Sequence, residues 1–298
     1  MIGILNVYKK KGMTSHDVVS FIRRAFKMKR VGHTGTLDPD AEGVLPILVG
    51  KATKLSDLLT ASEKSYTARV KLGVITDTDD LSGTILEERT VNVTEQDVIN
   101  AVNSFLGETE QIPPMYSAIK VDGQKLYQLA RKGIVTERKP RKITVYDIKC
   151  YDFDGTSFSL DVHCSKGTYI RSICRDIGQK LGTGAAMSAL IRTKSGAFTV
   201  QNSHTFEEIE ESAKNGRADE LLISIEDVLT HIKKIDVNEE NATKIKNGIR
   251  LRPEQIGINK CQENEMIRIY ENGSLLCILK AIKDENEKIV LAMEKSFY

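Results

Sequence analysis

The spacing of apolar residues in the first part of the chain predicts two helices and a strand. Residues 14–17 (TSHD) form a capping box, and apolar residues then recur at helical spacing as far as Phe26. Strict alternation from Tyr66 to Val74 predicts a half-buried strand. Residues 77–80 (DTDD), with Ser82 and Gly83, then predict an exposed acidic loop. Residues 94–97 (TEQD) cap a second predicted helix, which ends at Gly107.

Strand patterns return in the second half of the chain. Residues 143–153 and 158–164 predict a hairpin, and Gly167 then turns the chain into a helix with an apolar stripe. Roughly the last 65 residues contain short alternating runs, which are typical of a small β-rich module. Because strands and helices mix without regular βαβ alternation, we expect an α+β fold with a largely antiparallel mixed sheet flanked by helices.

Composition places the chain among globular proteins, since 40% of its 298 residues are hydrophobic and 28% are charged. That length accommodates one domain or two. No apolar run approaches the ~20 residues that span a bilayer, and the first residues lack a signal-peptide pattern, so we expect a cytoplasmic protein without membrane contact. Five cysteines without a C-x-x-C pair argue against a disulfide framework and a zinc ribbon, and we expect no metal.

A net charge of +2 hides segments of opposite sign. Residues 120–142 contain eight basic and two acidic side chains, whereas residues 205–227, predicted as an exposed and partly helical connector, contain eight acidic and two basic ones. Residues 23–30 carry five basic side chains and no acidic one. Basic patches attract polyanions such as nucleic acids. The alternatives are solvated faces and, for residues 23–30, a complement to the helix macrodipole.

The loop at residues 31–40 is the candidate site. It has neither a P-loop nor a dinucleotide-binding fingerprint, and the chain has no G-x-S-x-G nucleophile elbow. The loop offers one carboxylate, Asp38, between a glycine-rich turn and Pro39, with His33 nearby. The alternative is that Asp38 merely caps a turn, because Asp-Pro is a favoured turn dipeptide.

Residues 32–46 (GHTGTLDPDAEGVLP) resemble the catalytic motif of the TruB family of tRNA pseudouridine synthases. Three further segments resemble family motifs in the expected order: KSY at 64–66, GTYIR at 167–171 and RDIG at 175–178. Residues 113–118 and 123–133 are similar to the family's RNA-gripping insertion. The resemblance implies a pseudouridine synthase fold over residues 1–230, an insertion at about 112–142, and a PUA-like RNA-binding domain over 231–298.

This resemblance implies an isomerase that converts one uridine of the tRNA T-loop into pseudouridine without a cofactor. Asp38 is then the nucleophile, acting on the flipped-out nucleotide at either C1′ of the ribose or C6 of the base. Arg171 keeps that carboxylate ionised, and Tyr66 stacks on the target base. From the pattern alone, Tyr66 is a core aromatic and Arg171 forms an ordinary helix salt bridge.

The resemblance also implies residues that bind the RNA. His33 fills the gap that base flipping leaves, while Lys64 and Tyr169 line the pocket. Leu190 supports it, although residues 190–192 read Leu-Ile-Arg where the family pattern suggests Leu-Arg-Arg. The insertion clamps phosphates with basic side chains, which are Lys120, Lys125, Arg131 and Lys132. The alternatives are a turn histidine for His33, a phosphate contact for Lys64 and simple packing for Tyr169.

The expected partner is the T-arm stem-loop of tRNA, bound by a monomer that needs no obligate protein partner. Two other functions stay open. One is an RNA-binding or RNA-folding factor that uses the same basic insertion without chemistry. The other is an enzyme of the same fold acting on a different RNA.

Overall fold

The computed structural model describes residues 1–121 and 123–298, so Asp122, one of the two acidic residues counted in segment 120–142, lies outside the described residues. The longest helices in the described part have 11 residues. Within this part of the chain, none of the helices combines the length and the apolar character needed to cross a membrane.

The part of the chain before residue 232 combines one large sheet, small hairpins and short helices. Its strands are β1 (Gly3–Lys9), β2 (Val31–His33), β3 (Glu42–Val49), β4 (Lys64–Leu72), β5 (Val74–Thr76), β6 (Ile85–Glu88), β7 (Gly107–Gln111), β8 (Lys120–Val121), β9 (Gln124–Lys125), β10 (Arg141–Tyr151), β11 (Ser157–Cys164), β12 (Ala185–Ser195) and β13 (Phe198–Thr199). Its helices are α1 (Ser15–Ala25), α2 (Ser56–Thr60), α3 (Glu95–Asn103), α4 (Leu126–Ala130), α5 (Ile170–Lys180), α6 (Phe206–Lys214) and α7 (Ile225–Val228).

The large sheet has the strand order β1-β3-β12-β4-β11-β10-β7, with β2 paired to β3 and β13 paired to β12. Its neighbouring strands are antiparallel except β3 and β12, which pair in parallel where Ile191 and Arg192 meet Glu42 and Gly43. The predicted α+β class with a largely antiparallel mixed sheet is confirmed. The predicted hairpin is confirmed as well, in the antiparallel pair of β10 and β11.

The capping sequences begin their helices where expected. The Thr14 side chain accepts a hydrogen bond from the backbone N–H of Asp17, and the Asp17 carboxylate accepts one from the backbone N–H of Thr14. Thr94 and Asp97 repeat this reciprocal arrangement at α3. Helix α1 then buries its apolar stripe against β1 and β3 in a shared core. The N-terminus of α1 is therefore held next to the sheet.

Strand β4 shows the predicted alternation of buried and partly buried residues, but its bounds differ from the prediction. It starts at Lys64 rather than Tyr66 and ends at Leu72, because Gly73 adopts a positive φ of 80° and turns the chain. Val74 therefore belongs to β5 and not to the buried face of β4. Tyr66 still points to the buried side, as the alternation required.

The C-terminal part forms a separate sheet in the order β14-β15-β16-β17. Its elements are β14 (Lys233–Asp236), α8 (Glu239–Lys246), β15 (Met266–Glu271), β16 (Ser274–Lys283) and β17 (Ile289–Ser296). Ile278 and Phe297 from this part share a core with Leu55 and Leu229 of the preceding part. The predicted β-rich module therefore exists and packs directly on the rest of the chain.

Several elements differ from expectation. Strands β1 and β7 were not predicted, and the insertion contains the β8–β9 hairpin and helix α4. Strand β10 already begins at Arg141, so Arg141 and Lys142 belong to the sheet rather than to the insertion. The acidic segment 205–227 is partly helical as predicted, yet its Phe206 ring packs on Phe21 of α1 with ring centroids 4.7 Å apart. One side of that segment is consequently covered.

Candidate active site

The glycine-rich loop between β2 and β3 is held by its backbone carbonyl groups. Five successive carbonyls, those of residues 35–39, each accept a hydrogen bond from elsewhere in the chain or loop. The donors are the Arg192 guanidinium for Gly35 and Thr36, the Ser15 hydroxyl for Leu37, the Ala41 N–H for Asp38, and Lys9 Nζ with the Gly12 N–H for Pro39. A loop with its carbonyls satisfied in this way is held in one conformation.

Ser15, the first residue of α1, connects that helix to the loop. Its hydroxyl donates to the Leu37 carbonyl at 3.1 Å and accepts from the Leu37 N–H at 2.9 Å. Leu37 and Ser15 are both buried, whereas the side chain of the next residue, Asp38, is 41% exposed. The anchored leucine thus leaves the carboxylate directed into the adjacent cleft, which Asp38 lines.

Arg171 on α5 faces that carboxylate. Its Nε lies 3.1 Å from Asp38 Oδ2, and its side chain is only 7% exposed. The Nη atoms donate to the carbonyls of Thr78 at 3.1 Å and Tyr116 at 2.9 Å. The Arg171 guanidinium thus makes a charge-assisted contact with Asp38 while its other nitrogens are held by backbone carbonyls. The structure therefore brings together Asp38 and Arg171, which are 133 positions apart in the sequence.

The loop after β5 contributes to this arrangement, so the prediction of an exposed acidic loop was wrong for Asp79 and Asp80, whereas Asp77 and Ser82 are exposed as predicted. Asp80 Oδ2 lies 3.6 Å from Arg171 Nη1, and Asp79 Oδ2 lies 3.0 Å from Arg175 Nη1. The side chains of Asp80 and Asp79 are only 16% and 12% exposed. Burial raises the pKa of Asp79, which the charge of Arg175 opposes. These carboxylates are ion-pair partners that hold α5 rather than a solvated surface.

Tyr66 and Lys64 lie on β4 at the side of the same cleft. Tyr66 is 9% exposed, and burial raises the pKa of its hydroxyl while the neighbouring Arg192 charge opposes that rise. Lys64 Nζ donates to the carbonyls of Thr60 at 2.8 Å and Ser62 at 2.6 Å. Burial lowers the pKa of Lys64 to about 8. The Lys64 ammonium is therefore occupied by backbone groups.

Tyr169 and Leu190 border the cleft from two other elements. The backbone of Tyr169, the residue before α5, is held by Gln111, whose amide accepts from the Tyr169 N–H at 2.8 Å and donates to its carbonyl at 3.0 Å. Burial raises the pKa of the Tyr169 hydroxyl. Leu190 on β12 stands opposite Ala68 of β4 and is buried. Both side chains line the cleft.

His33 ends β2 and lines the cleft beside the loop. Its imidazole is partly buried, and burial together with the nearby Arg192 charge lowers its pKa. Among the described residues, its buried Nδ1 has no hydrogen-bond partner. That nitrogen is inaccessible to solvent, so only the rest of the ring can contact a molecule in the cleft.

The cleft has a volume of about 1570 Å³. This exceeds the ~300–1,000 Å³ that is usual for small-molecule pockets, so the cleft fits a macromolecular segment better. Lys125 and Arg131 of the insertion line it, and both place their charges over the Tyr127 ring at 5.6 and 5.5 Å. Lys120 and Lys132 are exposed and lie outside its lining, so they could contact only RNA that extends beyond the cleft.

No group of three or more His, Cys, Asp or Glu side chains that could hold a metal ion occurs within residues 1–121 and 123–298.

Comparison with known protein families agrees with this geometry. The N-terminal domain of the TruB family pseudouridylate synthases matches residues 23–170, and the tRNA pseudouridylate synthase B C-terminal domain matches residues 171–232. A Clostridium perfringens protein named tRNA pseudouridine synthase B is 45% identical over 92% of this chain and 93% of its own length. The chain belongs to the TruB family of pseudouridylate synthases. A Clostridium tetani protein of the same name is 44% identical over 97% of this chain and 99% of its own length.

Solved structures of other proteins share this fold. A chain of a Cbf5–Nop10–Gar1 complex aligns with 99% of this chain and 85% of its own length at a TM-score of 0.76 and 28% identity. A chain of an H/ACA RNP bound to a substrate RNA containing 2′-deoxyuridine has a TM-score of 0.74, with 25% identity and coverage of 99% and 85%. The predicted pseudouridine synthase fold with a PUA-like C-terminal domain is confirmed.

Sequence reasoning missed several residues of this TruB site. Asp80 was read as part of a surface loop, and the anchoring roles of Ser15, Lys9 and Gln111 had no local signal, because their partners lie far away in the sequence. Lys9 offered a weak hint, since a lone lysine ends an otherwise apolar and asparagine-containing run at residues 3–9. That lysine is fully buried in the structure.

Proposed function

We propose that this chain isomerises a uridine in the T-loop of tRNA to pseudouridine, with Asp38 as the nucleophile. The observation that carries this proposal is the pairing of Asp38 Oδ2 with Arg171 Nε at 3.1 Å in a cleft that Tyr66 also lines. Family membership supports the uridine-to-pseudouridine reaction. The size of the cleft and the basic side chains at one side of it support an RNA substrate.

The reaction moves one base on one ribose. The N1–C1′ bond breaks, the uracil turns within the cleft, and a C5–C1′ bond forms. C5 then loses its proton, and N1 ends protonated, so no atom is gained or lost overall. Asp38 assists by bonding to C1′ of the ribose as the N1–C1′ bond breaks, or by adding to C6 of the uracil. In either route the ionised carboxylate attacks, and its bond to carbon breaks again before the product leaves, which restores the carboxylate. Arg171 keeps one oxygen of Asp38 in place through the 3.1 Å contact from its Nε.

The other cleft residues bind and orient the nucleotide in this proposal. Tyr66 stacks on the extruded base, a contact worth ~1–3 kcal/mol, which is comparable to the few kcal/mol lost on unstacking. His33 occupies the space that the base leaves. Leu190 and Tyr169 form the walls, and Lys64 supports the wall next to Tyr66 through its backbone contacts.

RNA is gripped by the insertion at about 112–142. Lys125 and Arg131 lie close enough to the cleft to contact phosphates of a stem-loop, since both line it. Residues 1–230 act as the catalytic unit, and residues 231–298 act as a PUA-like RNA-binding domain. We propose that the enzyme works in the cytoplasm as a monomer on the tRNA T-arm without an obligate protein partner.

A T-arm hairpin labelled with tritium at uridine C5 tests the chemistry, because C5 loses its hydrogen in the reaction. Wild-type protein should release the label, and Asp38→Asn should release none while binding the hairpin with unchanged affinity. Binding without release by the wild type would contradict the proposal and favour an RNA-folding factor. Release from another RNA but not from the T-arm hairpin would favour the same chemistry on a different substrate.

A further inference from the structure

Arg192 on β12 is the largest fully buried side chain of the chain's described part, with 1% exposure. It stands opposite Tyr66 of β4 in the antiparallel register, and its backbone pairs in parallel with Gly43 of β3. A Cβ on Gly43 would lie 2.3 Å from the Arg192 carbonyl oxygen, so only glycine permits this approach. The position of Arg192 relative to β3 is therefore fixed by backbone contact.

The guanidinium of Arg192 reaches both ends of the loop that carries Asp38. Its Nε donates to the Val44 carbonyl at 2.7 Å, just after the loop. Its Nη2 and Nη1 lie 3.3 Å from the Gly35 carbonyl and 3.5 Å from the Thr36 carbonyl, at the start of the loop. One planar side chain thus connects the start of the loop to the residue that follows it.

The acceptors of this guanidinium among the described residues are carbonyl groups rather than carboxylates. Burying a cation without an anion is costly. A purely structural contact would not require a cation, because neutral donors also satisfy carbonyls. Arg192 borders the same cleft as Tyr66, His33 and Lys64, and it stands opposite Tyr66 in the sheet. Its charge favours the ionised form of Tyr66 and the neutral forms of His33 and Lys64. Arg192 therefore lies beside residues that bind and orient the nucleotide in the proposed reaction.

We infer that Arg192 is a positioning residue for the isomerisation, which sets the distance between Asp38 and Tyr66 by holding the loop's carbonyl groups against β12. This inference rests on the proposed function, because it concerns the same cleft. It implies that Arg192 acts on the rate of the bound complex more than on RNA binding, since its side chain is too buried to reach a phosphate.

Two variants test it. Arg192→Lys keeps the charge but loses the planar fork that spans three carbonyls, and Arg192→Met fills similar space without charge or donors. Tritium release from the T-arm hairpin gives kcat and KM, and filter binding gives Kd. We expect kcat to fall by about 100-fold for Arg192→Lys, as for a displacement of roughly 1 Å at a reacting group. KM and Kd should change by less than about 3-fold, and Arg192→Met should be slower than Arg192→Lys.

Arg268 of β15 provides the matched control. It is also a buried arginine, and it donates to the backbone carbonyls of Ile232 at 2.9 Å and Glu226 at 3.3 Å, away from the cleft. Arg268→Lys should lower the urea midpoint of unfolding and leave kcat within about 2-fold of wild type. A kcat loss confined to Arg192→Lys, at equal loss of stability, separates positioning from general destabilisation.

Other results would overturn the inference. If folded Arg192→Lys and Arg192→Met both retain the wild-type kcat, or if their Kd rises in proportion to the loss of activity, Arg192 does not position the loop. If neither variant folds at 10 °C, Arg192 is needed for folding alone, and the inference that it positions the loop is likewise rejected. An inactive wild type would instead refute the proposed function, so the two failures are distinguishable.

Discussion

Asp80→Asn isolates one contact of the arginine that faces the nucleophile. The Asp80 Oδ1 atom accepts from Thr78 Oγ1 at 2.8 Å and from the Ser82 N–H at 3.0 Å, whereas its Oδ2 atom faces Arg171 Nη1 at 3.6 Å. Asparagine can keep its oxygen on the loop donors. It then turns an NH₂ group toward the guanidinium, so the substitution removes the charge and the acceptor that Arg171 faces without removing the loop's internal contacts.

The size of the effect follows from distance and burial. Two unit charges 3.6 Å apart attract by about 1 kcal/mol in water and about 5 kcal/mol at an effective dielectric constant of 20. Both side chains are mostly buried, so the attraction lies between these limits, and we take about 1.5–3 kcal/mol of it as lost in the variant. If that energy orients Arg171 toward Asp38, kcat should fall by about 10- to 150-fold.

Tritium release from the T-arm hairpin measures this effect under saturating RNA. Hairpin affinity should stay within about 3-fold of wild type, because a carboxylate does not attract phosphate. The matched control is Glu87→Gln, which removes an exposed ion pair with Arg89 on the β5–β6 hairpin. Exposed pairs contribute only ~0–1 kcal/mol, so this variant should behave as wild type. A kcat for Asp80→Asn within 2-fold of wild type would show that Asp80 does not hold Arg171 in its working position.

Three further outcomes are expected from the structure. Ser15→Ala should lower the free energy of unfolding in urea by about 2 kcal/mol, because it leaves the buried N–H and carbonyl of Leu37 unpaired; an unchanged value would mean that water replaces the hydroxyl. Burial lowers the pKa of Lys64 to about 8 from an ordinary 10.5. Between these pH values the unfolded chain therefore carries a larger share of the Lys64 proton than the folded chain does. Urea unfolding should therefore show the stability of wild type relative to Lys64→Met rising between pH 8 and pH 10, and a flat difference would contradict the shift. Replacing both Lys125 and Arg131 by alanine should weaken hairpin binding and reduce the slope of log K against log salt by about two; an unchanged slope would place both side chains away from phosphate.

Local features of the fold were predictable because their causes are local. Thr14 and Thr94 cap their helices through residues three positions away, and the alternation around Tyr66 records burial of one strand face. Strand β7 escaped prediction because its sequence, GETEQ, is polar and its pairing with β10 alone makes it a strand. The sequence of one segment does not show which strand will pair with it.

The residues of the site likewise divide into those with a local signal in the sequence and those without one. Asp38, Tyr66 and Arg171 were identified through motifs, and the structure brings all three to one cleft. Asp79 and Asp80 were misread because acidic side chains in a loop are usually solvated, and only the arginines of α5 make these two carboxylates largely buried ion-pair partners. Their role depends on contacts across more than 90 positions of the sequence.

The loop around Asp38 shows why a flexible-looking sequence can hold a reactive group in place. Glycine and Asp-Pro permit irregular backbone, which by itself would leave many conformations accessible at a cost of ~1–2 kcal/mol per residue to order. Here the ordering is complete before RNA arrives, since the carbonyls of residues 35–39 already have donors from β1, α1, β12 and the loop itself. The side chain of Asp38 remains free to face Arg171. Binding energy from the RNA is then available for extruding the base rather than for arranging the nucleophile.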